Sequence, residues 1–136
     1  MPRFMMFIYP NITPEQYEQG VSAEDAALMQ KYNESLTQAG VLLALDGLHP
    51  DSKGARVTVS GGKKTVTDGP FTEAKELVGG YWLIDVKSKE EAVEWASRAP
   101  INEGDVIEVR QVFEMEDHGP EVRAAWDEAS HPSAGS

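Results

Sequence analysis

Arg3-Phe4-Met5-Met6-Phe7-Ile8-Tyr9 is the stretch that decides the architecture. Bounded by Pro2 and by Pro10-Asn11, it is too short for a stable helix, and its aromatic residues favour a β-strand. Alternate residues of a strand face opposite ways, so Phe4, Met6 and Ile8 share one face and Met5, Phe7 and Tyr9 the other. Both faces are apolar. A sheet with helices on one side and water on the other imposes apolar-polar alternation, so this strand is expected in a sheet covered on both faces.

Working outward, residues 10–21 carry Pro10, Pro14 and Gly20 and read as a loop. Ser22 with Asp25 resembles a capping box, and Met29, Tyr32, Leu36 and Ala39 recur at three- and four-residue steps, which predicts a helix over 23–39 stopped by Gly40. A second strand is expected over 41–48, broken at Asp46-Gly47 and closed by His49-Pro50-Asp51. Segments 56–59 and 63–67 flank Gly61-Gly62 and read as a hairpin, because paired glycines supply the positive φ angles of a tight turn. Strand 81–86 follows. Ser88 to Glu91 opens a second helix whose buried stripe is Ala92, Trp95, Ala96 and Ala99, and Pro100 ends it. The last strand is expected over 106–113, with Ile107, Val109 and Phe113 on one face and Val106, Arg110 and Val112 on the other.

The order strand, helix, strand, hairpin, strand, helix, strand reduces to an α+β, ferredoxin-like split βαβ pattern with an inserted hairpin. Two helices cover only one face of such a sheet. A second copy packed face to face covers the other, so a homodimer is expected. Pro120 starts a short helix over about 120–129 in which Val122, Trp126 and Ala129 share a side, and a disordered tail is expected beyond it.

Acidic residues outnumber basic ones 23 to 12, giving a formal charge of −11 at pH 7. That balance argues against nucleic acid, whose phosphates demand a basic face, while Lys63-Lys64 is the only basic pair. Cysteine is absent, no apolar leader follows Met1, and no apolar run reaches the roughly 18 residues of a membrane span. A cytoplasmic protein without a membrane partner is the expectation. His49, His118 and His131 lack metal-ligand spacing, and no phosphate loop, dinucleotide fingerprint or nucleophile elbow is present, so neither metal nor cofactor is expected.

Chemistry-bearing residues concentrate near the hairpin exit. An aspartate opening a turn usually accepts from the N–H two residues on, but for Asp68 that residue is Pro70, which has none. Its carboxylate is left to stabilise the turn through Phe71, to pair with a cation such as Arg110, or to meet a ligand. Glu73, Lys75 and Glu76 read either as a solvated charge cluster or as a pocket wall, beside Gly79-Gly80 where backbone can approach a ligand. Arg110, among apolar neighbours, is suited to pairing with an acid or holding an anion. His49 can serve as a general base.

Asp68-Gly69-Pro70-Phe71, with Glu73, Lys75-Glu76 and Gly79-Gly80-Tyr81, resembles the signature of the DGPF family within the YCII-related proteins. Tyr9, Gly40-Val41-Leu42, Gly47-Leu48 with Pro50, Trp95-Ala96 with Pro100, and Val109-Arg110 are also similar to that family. The resemblance makes residues 1–115 the family domain and 116–136 an extension, and implies a dimeric α+β barrel with a cleft in each subunit. Related proteins have been read as enzymes on the strength of a histidine–aspartate pair, of which only Asp68 has a counterpart here. Members are often encoded beside extracytoplasmic-function sigma factors, which implies an accessory or sensing role.

The expected function is binding or sensing of an unidentified small organic ligand in a cleft lined by Tyr9, His49, Asp68, Phe71, Tyr81 and Arg110, with Glu73 and Lys75 beside it. The alternatives are a lyase- or isomerase-type enzyme in which Asp68 or His49 moves a proton, and a structural accessory module of sigma-factor regulation.

Overall fold

A computed structural model describes residues 1–70 and 77–130. Strand β1 (Arg3–Tyr9) is followed by helices α1 (Pro14–Gln19) and α2 (Ala23–Gln38), then by β2 (Leu42–Gly47), a 3-10 turn Asp51–Lys53 and the hairpin strands β3 (Ala55–Ser60) and β4 (Lys63–Asp68). Strand β5 (Gly80–Asp85), helix α3 (Lys89–Ser97), strand β6 (Val106–Gln111) and helix α4 (Pro120–Ser130) complete the order. The main sheet runs β2-β5-β1-β6 with every neighbouring pair antiparallel, and β3-β4 forms a separate two-stranded ribbon. Each strand-helix-strand unit is therefore split by a strand of the other, the α+β arrangement expected from the element order.

The expected loop over 10–21 contains α1. Thr13 caps it by accepting from the Gln16 N–H, while the Gln16 side chain accepts from the Thr13 N–H, and Pro14 occupies the first turn. A proline there loses nothing, because the first N–H groups of a helix have no partner within it. Strand β2 passes through Asp46 rather than breaking there, and carries a bulge between Leu42 and Ala44. Strand β6 ends at Gln111, and Phe113, expected on the strand face of Ile107 and Val109, lies past its end, exposed and stacked on His118.

One face of the sheet is closed by α2 and α3. Phe4, Met6, Trp82, Ile84 and Val86 meet Tyr32, Leu36, Ala92 and Ala99 in the core. The link between helix and sheet is specific: Trp82 donates its indole N–H to Asn33 Oδ1 at 2.8 Å, its ring meets Tyr32 edge-on at 5.7 Å, and Tyr32 donates its hydroxyl to the Trp95 carbonyl at 2.6 Å. Burial pushes the Tyr32 phenol up to about 12. On the other face, Met5, Phe7, Tyr9, Tyr81 and Leu83 are only half-buried, and α2 and α3 lie on the opposite side.

Close crossings explain several glycines. A Cβ on Gly80 would stand 2.8 Å from the Asp46 carbonyl oxygen of the neighbouring strand, and one on Gly69 would collide with the Asp51 carbonyl oxygen. The first lets β5 lie against β2; the second seats the hairpin exit on the 3-10 turn, where the Gly69 N–H donates to the Gly54 carbonyl at 2.9 Å. At the hairpin tip Gly61 and Gly62 have φ of 58° and 80°, as the paired glycines predicted.

The two ends of the sheet domain are joined. Arg3 donates through Nε to Glu114 Oε1 at 2.7 Å and through Nη2 to Oε2 at 3.1 Å, and the Val112 N–H donates to the Arg3 carbonyl at 2.9 Å. Hydrogen bonding to Arg3 holds the Glu114 carboxyl below the usual glutamate range. Helix α4 lies beyond this link, with Val122 and Trp126 51% and 60% exposed, so neither is seated on the chain's own core.

Gly69→Ala and Gly80→Ala are each expected to cost about 1–3 kcal/mol in urea unfolding, because the added methyl meets backbone that must shift. Gly47→Ala, where a Cβ meets nothing within 4 Å, is expected to stay within about 0.5 kcal/mol of wild type. Tyr32 contributes at alkaline pH: its proton leaves the unfolded chain near 10 and the folded chain near 12, so stability falls as pH rises across that window. Tyr32→Phe is expected to flatten that part of the stability–pH curve, measured by urea unfolding at fixed pH values.

Candidate functional site

A cleft of about 510 Å3 opens on the helix-covered side of the sheet, at the end where β1 and β2 run out. Ile8, Leu45, Gly80 and Trp82 form its floor, Met29 and Asn33 of α2 one wall, and Tyr17 and Glu18 of α1 the other. The chain leaving β2, Gly47-Leu48-His49-Pro50, forms its rim. These walls follow from local sequence. The alternation of β5 turns Trp82 toward the helices, and the step from Met29 to Asn33 is one helical turn, which stacks them on one face of α2.

Helix α1 is held across the cleft by one phenol. The Tyr17 hydroxyl donates to the Leu48 carbonyl at 2.8 Å and lies 3.4 Å from the Gly79 carbonyl oxygen, so a single side chain ties α1 to the exits of β2 and the start of β5. Burial, aided by the nearby Asp51 charge, raises its pKa and keeps it a neutral donor. Glu18 accepts from the Ser52 hydroxyl, which fastens α1 to the 3-10 turn as well. The Gly79 N–H donates to the Ile8 carbonyl at 2.7 Å, and a Cβ at Gly79 would press on the Pro10 ring at 3.0 Å. What approaches Gly79 and Gly80 is thus the protein's own backbone and proline, in the place where the glycine pair suggests room for a ligand.

Of the expected site residues, His49 stands at the rim of the cleft, and Tyr81 borders it between Gly80 and Trp82 with its side chain turned to the open face of the sheet. Tyr81 donates its hydroxyl to Asp46 Oδ2 at 2.7 Å, and that hydrogen bond, ahead of burial, raises its phenol pKa. Tyr9 and Arg110 do not belong to this site. Tyr9 pairs with Val106 and Arg110 with Met5, which puts both on the sheet face away from the helices, and the Tyr9 hydroxyl donates to Glu108 Oε1 at 3.0 Å. Strand alternation decides this: Ile8 and Tyr9 are neighbours in sequence and lie on opposite sides of the sheet. Asp68 is exposed at the base of the hairpin, opposite Ala55, and is not among the described residues of the cleft wall. Phe71, Glu73 and Lys75 lie outside the described residues. The expected pairing of Arg110 with Asp68 is absent among the described ion pairs.

The residues that sequence reasoning missed are Asn33, Tyr17 and Trp82. Asn33 sits at helical spacing between Met29 and Leu36, and a polar side chain on an apolar stripe was the signal available for it. Thr13-Pro14-Glu15-Gln16 was the signal for the helix that carries Tyr17. Among the described residues no group of three or more histidine or carboxylate side chains is arranged to hold a metal ion, and no helix is long and apolar enough to cross a membrane.

Comparison with known proteins adds the family. An uncharacterized protein of Rhizobium meliloti (strain 1021) is 35% identical over 82 residues, a match spanning 60% of this chain and 63% of that protein. Residues 3–116, from the first strand through the Arg3–Glu114 link, match the YCII-related domain. By that match, which takes in the whole four-stranded sheet and the cleft above it, the chain belongs to the YCII-related family.

Proposed function

We propose that the protein binds a small, largely apolar organic molecule in the cleft between α1, α2 and the sheet, and that it does so as a homodimer. The observation that carries the binding reading is the cleft itself. Its volume of about 510 Å3 falls within the roughly 300–1,000 Å3 of small-molecule sites, and Ile8, Met29, Leu45 and Trp82 give it apolar walls with few polar groups. Its walls are also built rather than incidental. Tyr17, Asn33 and Glu18 each have a hydrogen-bond partner that fixes them, the kind of pre-organisation that lowers the ordering cost of binding.

Support for the dimer comes from the other face of the sheet. Met5, Phe7, Tyr9, Tyr81 and Leu83 form a half-buried, largely apolar surface there, on the side away from α2 and α3. A second copy, packed through the same surface about a two-fold axis, removes it from water on both subunits at once. Sensing follows if occupancy of the cleft changes α1, whose hold on the sheet is the Tyr17 phenol.

A thermal-shift screen of neutral aromatic metabolites is expected to return compounds that raise the melting temperature by several degrees, since a ligand at a hundredfold excess over its Kd stabilises by about 2.7 kcal/mol. Met29→Trp, which fills the cleft from α2, is expected to abolish those shifts while keeping a cooperative unfolding transition; shifts that survive it place the ligand elsewhere and sink the reading. For the dimer, light scattering is expected to return twice the 14.9 kDa of the chain, and Phe7→Asp a single chain's mass. A single-chain mass for the wild type at roughly micromolar concentration would refute it.

A further inference from the structure

Building on the binding reading above, we infer that Asn33 sets what the cleft accepts: the polar end of its occupant is an uncharged carbonyl, held by the Asn33 side-chain amide N–H groups. The geometry that points there begins at Trp82. An indole N–H only donates, so the oxygen of the Asn33 amide, and not its nitrogen, must face it, and the two are 2.8 Å apart. Trp82 is 4% exposed, and turning the amide over would leave its N–H buried without an acceptor. The amide is therefore locked with its NH2 group directed away from Trp82. Nδ2 makes no hydrogen bond among the described residues, and Asn33 lines the cleft.

The other polar side chains of the wall are engaged, are acceptors, or, like His49, stand exposed at the rim. Tyr17 gives its hydroxyl proton to Leu48 and Glu18 presents a carboxylate, while the Tyr81 hydroxyl is engaged by Asp46 on the open face of the sheet. Asn33 is thus the half-buried side-chain donor that a ligand meets on the cleft wall. Charge then narrows the class. The described side chains of the cleft wall include the Glu18 carboxylate but neither lysine nor arginine, in a chain of formal charge −11. A carboxylate entering this site would lose its water without gaining a cation, which is strongly unfavourable. An amide, ketone or ester carbonyl has the same acceptor geometry and no charge to desolvate. This revises the expectation of an anionic ligand end held by Arg110, which stands on the opposite face of the sheet.

The test uses three probes of one shape, 2-naphthamide, 2-naphthoate and 2-naphthylmethylamine, titrated calorimetrically into the full chain and into Asn33→Asp. The substitution is nearly isosteric. It keeps an oxygen for the Trp82 indole and replaces the NH2 donor with an acceptor. Wild type is expected to bind the naphthamide at least tenfold tighter than the naphthoate. Asn33→Asp is expected to lose roughly tenfold or more on the naphthamide and to gain on the amine, a gain that an unfolded or distorted variant cannot produce. Asn33→Ala, which removes the donors without adding charge, is expected to erase the preference for the naphthamide and covers the case in which the aspartate variant does not fold. If the naphthoate binds wild type as tightly as the naphthamide, or the naphthamide is indifferent to both substitutions, the inference about Asn33 is wrong and the cleft remains a binding site. If none of the three binds wild type, the cleft reading itself falls, and this inference with it.

Discussion

The rest of the structure hangs on the contact between Trp82 and the α2 helix. An indole at the centre of a sheet brings a large apolar ring and one N–H that must find an acceptor, and Asn33 supplies it while Tyr32, one residue earlier, meets the ring edge-on. Two adjacent residues of one helix thus grip a single strand residue from two directions. That fixes both the position of α2 across the sheet and its rotation about its own axis. Tyr32 then passes the constraint on through its hydroxyl to the carbonyl of Trp95, so α3 is set relative to α2 by the same contact. The core and the cleft are two sides of this arrangement. Leu36, one turn after Tyr32, falls into the core, while Met29, one turn before Asn33, falls at the cleft.

Much of the fold was legible because it is written in periodicity. The two-sided apolar run from Arg3 to Tyr9, the stripe of α2 and the paired glycines of the hairpin each have one physical reading, and their order dictates the split βαβ arrangement. Helix α1 was not read because proline is ambiguous: Pro14 looks like a break until Thr13 and Gln16 are seen to cap the turn that it starts. The site was legible only in part, for a different reason. Sequence proximity shows which residues share an end of the sheet but does not pair the strands, and pairing decides faces. Tyr9 and Arg110 sit on strands that do neighbour each other, but their side of the sheet is the one the helices leave open. Asn33 carried a faint signal as a polar residue on an apolar stripe, yet its role depends on Trp82, forty-nine positions away in sequence.

The signature around Asp68 also takes on a more mechanical meaning. Gly69 admits the Asp51 carbonyl at a distance no side chain permits, and Gly80 does the same for Asp46. These glycines are where the chain crosses itself, Gly80 on the floor of the cleft and Gly69 on the 3-10 turn. The hairpin, the 3-10 turn and the exit of β2 are thereby brought to one place, so a signature that reads as chemistry in sequence acts, in its glycines, as a set of joints.

Arg3 and Glu114 have a consequence for how such a domain can be used. Because β1 and β6 are neighbours and these two side chains clasp across them, the chain arrives at and departs from the sheet side by side. A domain with adjoining ends can be spliced into a surface loop of another protein, or cut open elsewhere and rejoined at its ends, without parting its strands. Helix α4, added just past the clasp, is one such attachment. The YCII-related sheet is in this sense a closed cassette, and what is joined to it can change while the cassette does not.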